Sequence, residues 1–145
     1  MKKKRLWLIL AIGSLTMALS GCKTLQERAA ESKYTTPDGV TLMTEAEIRK
    51  ALVGNTIAGD SSHYPGNSFI EYYHNDGKVT GLWNGQKRYL GEWALSGKIL
   101  CYRFPNQKGC STLALSGNEI QWYALDGSPE DKSTWMKGDP KGLAN

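Results

Sequence analysis

Turn-forming residues recur through this chain at nearly regular spacing, and that rhythm constrains the fold more than any other feature. They stand at Asn75-Asp76-Gly77, Asn84-Gly85, Ser96-Gly97, Pro105 to Gly109, Gly117-Asn118 and Asp126-Gly127. Asn-Gly and Asp-Gly tolerate the left-handed backbone of tight hairpin turns, so each cluster reads as a reversal between short antiparallel strands. The spacing predicts strands near 55–59, 68–74, 78–83, 87–95, 98–104, 110–116 and 119–125, with an eighth candidate around 132–136. The fold class is mainly β, an antiparallel meander of seven to eight strands.

Turn position also sets register. Two-residue turns pair Tyr73 with Thr80, Thr80 with Tyr89 and Trp93 with Leu100; pairing Cys101 with Cys110 and turning at Gly117-Asn118 sets Leu113 opposite Trp122. Alternate side chains point to opposite sides of a strand. One face then collects Phe69, Tyr73, Leu82, Tyr89, Trp93, Leu95, Leu100, Tyr102, Phe104, Leu113, Leu115, Ile120 and Trp122, with Glu71 as its one charge. The other collects Ile70, Tyr72, His74, Val79, Trp83, Arg88, Glu92, Cys101, Arg103, Cys110, Gln121 and Tyr123. A sheet this long with one apolar face is expected to curl into a small barrel, which also hides its edges.

Ahead of the strands, Thr44-Glu45-Ala46-Glu47 has the form of a capping box, and Met43 and Ile48 stand where a hydrophobic staple joins them. Ile48, Ala51 and Leu52 give the short helix an apolar face, and Gly54 suits its C-terminal cap. A helix of about ten residues is marginal alone, so it must dock on the sheet. The polar stretch before it reads as a tether, with at most a frayed helix over Thr24 to Lys33. The expected divisions are 1–21 signal peptide, 22–43 tether, 44–138 helix plus barrel and 139–145 flexible tail.

Lys2, Lys3, Lys4 and Arg5 precede the apolar run Leu6 to Leu19, the pattern of an export signal. The run is shorter than the roughly 20 residues of a membrane-spanning helix. These four residues account for the whole excess of 18 basic over 14 acidic side chains, so a chain cut before Cys22 is formally neutral. Such a surface argues against nucleic acid as partner, because phosphate binding needs clustered uncompensated cations. The run closes on Leu19-Ser20-Gly21-Cys22, which resembles the lipobox of bacterial lipoproteins. The resemblance implies cleavage before Cys22, acylation of its thiol and attachment to the membrane through that lipid. Lys23, where lipoproteins of the inner membrane carry Asp, implies the outer membrane with the domain on its periplasmic side.

With Cys22 acylated, Cys101 and Cys110 are left as an even pair in an oxidising compartment, so a disulfide is expected between them. Closing that ten-residue loop stabilises the fold by roughly 2.7 kcal/mol on a chain-entropy estimate. A metal site lacks ligands at suitable spacing, since His63 and His74 are the two histidines, and no cofactor motif is present.

Little in the chain points to catalysis. Asp60-Ser61-Ser62-His63 has the letters of a triad, but four consecutive loop residues read as a turn. Glu71 is the one candidate acid, expected near a barrel mouth beside Lys87 and solvated. Tyr72, Trp83 and Arg88 fall together on the outward face in the register above. Tyr, Trp and Arg dominate protein-binding hot spots, which makes these three the candidate partner-binding residues.

Gly54-Asn55-Thr56, Gly91-Glu92-Trp93, Leu100-Cys101, Cys110 and Trp122-Tyr123 resemble an uncharacterised family of small exported bacterial β-proteins over roughly residues 44–126. That likeness implies a lipocalin-like barrel and supplies no catalytic residues. The single disulfide and the Gly-x-Trp strand are also similar to small periplasmic barrel inhibitors, a likeness of architecture alone. The leading expectation is therefore a non-enzymatic envelope lipoprotein that binds a protein partner. The alternative is a small-molecule or lipid carrier using the barrel interior, and third comes an enzyme with Glu71 as acid. The volume of the interior separates the first two, because a packed barrel has no room for a ligand.

Overall fold

The computed structural model describes residues 22–145, and the export signal expected over 1–21 lies outside them. Eight antiparallel strands close into a barrel in chain order. They are β1 (Thr56–Asp60), β2 (Ser68–Tyr73), β3 (Lys78–Trp83), β4 (Lys87–Ser96), β5 (Ile99–Phe104), β6 (Gln107–Ser116), β7 (Glu119–Ala124) and β8 (Pro129–Met136). The eighth strand pairs with the first, Ile57 opposite Trp135, so no edge is left open. The fold is the small, mainly β barrel that the turn spacing predicts.

Helix α2 (Glu45–Leu52) plugs one end of this barrel. Both halves of its capping box form: the Glu47 N–H donates to the Thr44 hydroxyl, and the Thr44 N–H donates to the Glu47 carboxylate at 2.7 Å. Ile48, Ala51 and Leu52 are buried and join Met43, Ile57, Leu95, Leu100, Leu113 and Ile120 in one core. The Ala51 carbonyl, which helix geometry leaves unpaired, accepts from Asn55 Nδ2 at 3.0 Å and from the Trp135 indole N–H. These contacts fill the half of the barrel nearest the helix and leave the other end to the loops.

The segment expected to be a tether is fixed to the barrel instead. Thr24 and Glu27 form a second capping box, starting α1 (Leu25–Glu31). Ala29 is buried against Ile99 and Cys101, and Gln26 Nε2 donates to the Leu95 carbonyl at 3.1 Å. Beyond α1, Thr35 N–H donates to Leu125 O and Met43 N–H to Leu113 O, which carries the chain across the outside of the barrel. Residues 139–145 also fold back: Leu143 is 2% exposed, Asp139 accepts from the Leu143 and Ala144 amides, and Arg88 donates to the Leu143 carbonyl. The disulfide joins Cys101 and Cys110 as direct cross-strand partners on the outward face, beneath α1.

The face presented to the interior differs from expectation at one strand, β3. Tyr73 pairs with Val79, and Trp83 with Lys87, so both hairpins flanking β3 have three-residue turns. Gly77 (φ 83°) ends the first, and Gln86 follows the left-handed pair Asn84 (φ 50°) and Gly85 (φ 69°) in the second. Each extra residue slips the pairing by one. The two slips cancel for β4 and turn β3 alone inside out: Val79 and Trp83 face inward, and Leu82 faces out. The following hairpin is shifted by two, with Leu95 opposite Leu100 and Trp93 opposite Tyr102, which preserves the faces. Cys101–Cys110 and Leu113–Trp122 pair as expected.

Candidate functional site

The barrel end away from α2 opens into a cavity of about 290 Å³. Its mouth is formed by the β1–β2 loop (Ser61, Tyr64, Asn67), Lys87 at the start of β4, the β5–β6 turn (Pro105, Asn106) and Glu130 and Asp131 of β8. Its walls are aromatic. Tyr64, Trp83, Tyr89, Phe104, Tyr102 and Trp122 form an unbroken series of ring contacts with centroids 5.4–6.5 Å apart. Most of these contacts are edge-to-face, the arrangement that ring quadrupoles favour.

Small residues keep that space open. Gly81 lies directly opposite Tyr89, and Gly109 directly opposite Tyr102. In each case the tyrosine ring lies where a glycine Cβ would project, and Phe104 does the same over Gly91. A ring lying flat on its neighbour's backbone thickens the wall rather than filling the lumen. Without these pairings a barrel this size would be filled by its own side chains.

Glu71 stands in the wall as the one carboxylate deep in the cavity. Contrary to expectation it is not solvated: the residue is 6% exposed. Its Oε1 accepts from the Tyr89 hydroxyl at 2.6 Å, and its Oε2 accepts from the Tyr73 hydroxyl at 3.1 Å. Burial raises its pKa from 4.5 to about 7, opposed by the two tyrosine hydrogen bonds and assisted by the negative charge of Asp131. Burial and the adjacent carboxylate push the Tyr89 and Tyr73 hydroxyls well above the usual tyrosine range, so both remain proton donors. At the mouth, Glu130 accepts from the Ser111 hydroxyl at 2.8 Å and Asp131 from the Ser62 amide at 2.6 Å.

The three residues expected to share an outward surface do not. Trp83 is part of the cavity wall, a direct consequence of the turned β3. Tyr72 faces out and packs edge-on against His74, with ring centroids 4.8 Å apart, while Arg88 is engaged with the C-terminal carbonyls. Gly81 lies under the Tyr89 ring inside the barrel. Cys22 is exposed and two residues from the cap of α1. Among the described residues, no three His, Cys, Asp or Glu cluster as metal ligands.

What sequence reasoning missed is the Tyr73–Glu71–Tyr89 unit. A signal for it exists: Glu71 alternates with Phe69 and Tyr73, so it shares their inward face, and its partner on β3 is Gly81, over which the Tyr89 ring lies. No family model, no curated protein and no solved structure matches this chain.

Proposed function

We propose that this protein is a non-enzymatic envelope lipoprotein, anchored through Cys22, whose barrel interior binds a small organic molecule. The observation that carries the reading is the cavity itself: about 290 Å³, aromatic on its walls and open at one end. Ligand sites are concave and largely apolar, with a few polar groups that fix orientation. Here Glu71 and its two tyrosines are those polar groups, set in place by hydrogen bonds before any ligand arrives. At the low end of known pocket volumes, the cavity suits a compact ligand rather than a long acyl chain.

The volume favours the carrier alternative over the partner-binding expectation, whose three-residue surface the register divides. The outward face of the strands carries charge, with Glu92 against Arg103 at 3.6 Å and Glu119 against Lys132 at 3.0 Å, which suits water rather than lipid. The purified protein, titrated with 2-phenylethanol by calorimetry, should bind it saturably. Trp83→Ala should weaken that binding at least about fivefold, because stacking area and one wall are lost. The absence of saturable binding by this and other compact aromatic solutes would contradict the proposal.

A further inference from the structure

We infer that the cavity selects a small organic cation, an ammonium group on an apolar or aromatic body, with Glu71 as its counter-charge. The inference rests on reading the interior as a ligand site, and it deepens that reading by naming the ligand class.

The balance of charge around the cavity is the first observation. Three carboxylates line it, Glu71, Glu130 and Asp131, against a single ammonium, Lys87, at the mouth. Among the described residues, no Lys, Arg or His lies within ion-pair distance of Glu71. An ionised carboxylate offers about four acceptor positions, and the hydroxyls of Tyr73 and Tyr89 occupy two. Capacity is left for a donor that comes with the ligand.

The aromatic wall is the second observation, and it is independent of the first. Ring faces are electron-rich, and cations within about 6 Å of a ring centroid are attracted to them, most strongly where water is excluded. Trp83, Tyr89, Phe104, Tyr102 and Trp122 enclose the space that Glu71 borders. An aromatic enclosure with one carboxylate in its wall is the chemistry that recognises alkylammonium groups. An anionic ligand would meet the quadrupoles and carboxylates with the same sign of charge.

The groups facing Glu71 also give the inference a pH signature. They are Tyr73 on its own strand, Tyr89 on β4 and Asp131 on β8, with Glu130 and Lys87 around the mouth. The two tyrosines stay neutral, and burial holds the Glu71 carboxyl at a pKa of about 7. A cation favours the ionised form, so cation affinity must fall as pH drops through that value.

The test is calorimetric titration of the full chain with three ligands of one shape: phenethylammonium, 2-phenylethanol and 3-phenylpropionate. At pH 8 the ammonium compound should bind at least ~10-fold tighter than the alcohol, with the carboxylate weakest. Glu71→Gln should reduce the ammonium compound to the alcohol's level. In the unaltered protein, lowering pH from 8 to 5.5 should weaken ammonium binding about tenfold or more and leave the alcohol unchanged. This second measurement keeps the test decisive if Glu71→Gln fails to fold. Equal or tighter binding of the alcohol or carboxylate, or a flat pH response for the ammonium compound, overturns the cation assignment while the ligand cavity stands. Binding by none of the three overturns both.

Discussion

Glu71→Gln should make this protein more stable at alkaline pH, and the size of the effect follows from the cavity. The folded-state pKa of Glu71 is about 7, against 4.5 for the free side chain, because burial penalises the charged form more than Tyr73 and Tyr89 relieve it. Between those two values the folded protein holds a proton that the unfolded chain has released. Stability from this group is therefore complete below pH 4.5 and is lost as pH rises through 7. A shift of this size corresponds to about 3 kcal/mol, an order-of-magnitude figure for a buried group. Gln keeps the shape and stays neutral, so the variant should match wild type near pH 4.5 and exceed it by roughly 2–3 kcal/mol at pH 8. For a domain of this size that is about 10 °C in midpoint. Chemical denaturation followed by tryptophan fluorescence, run on both proteins from pH 4.5 to 8.5, isolates the effect. Carboxylates such as Glu45, Glu47, Asp126 and Asp139, held below their usual range by local hydrogen bonds, are common to both proteins and cancel in the difference. Parallel stability curves, with no divergence above pH 5, would refute the argument that Glu71 is buried and costly to ionise.

Other positions give sharper structural checks. Gly81→Ala should lower stability by about 1–3 kcal/mol, since the new methyl displaces the Tyr89 ring, and should weaken ligand binding too; in a Tyr89→Ala background the same change should be neutral or slightly stabilising. Cys101→Ser should cost on the order of 2–5 kcal/mol in denaturation midpoints and should loosen α1, which hydrogen exchange at Arg28 and Ala29 would report. Cys22→Ser should release the protein from the membrane fraction or leave it unprocessed; fractionation identical to wild type would show that Cys22 carries no anchor.

How far these features are legible in the sequence depends on the order of interaction involved. Strand number and barrel closure follow from local turn chemistry and alternation, and so does α2, whose capping box is written in four consecutive residues. Parity is more fragile. A glycine at the end of Asn75-Asp76-Gly77 serves a two- or a three-residue turn equally well, and one residue decides whether Trp83 faces solvent or the cavity. The docking of α1 and of the C-terminal segment depends on single buried side chains, Ala29 and Leu143, and neither forms a periodic pattern. The cavity is the least legible feature, because it depends on which aromatic ring lies over which glycine across a strand pair. Gly81 and Tyr89 are eight positions apart, and their meaning appears only once the register is known.

The central claim is that binding takes place inside the barrel, and nuclear magnetic resonance mapping tests it most directly. Titrating phenethylammonium into isotopically labelled protein should shift the Trp83 and Trp122 indole N–H signals and the amides of Glu71, Tyr89 and Tyr102, all at the cavity wall. Signals of Tyr72 and His74, on the outward face, should hold still. Shifts confined to the outward strands around Tyr72 and Arg88, with the cavity residues unmoved, would contradict the account.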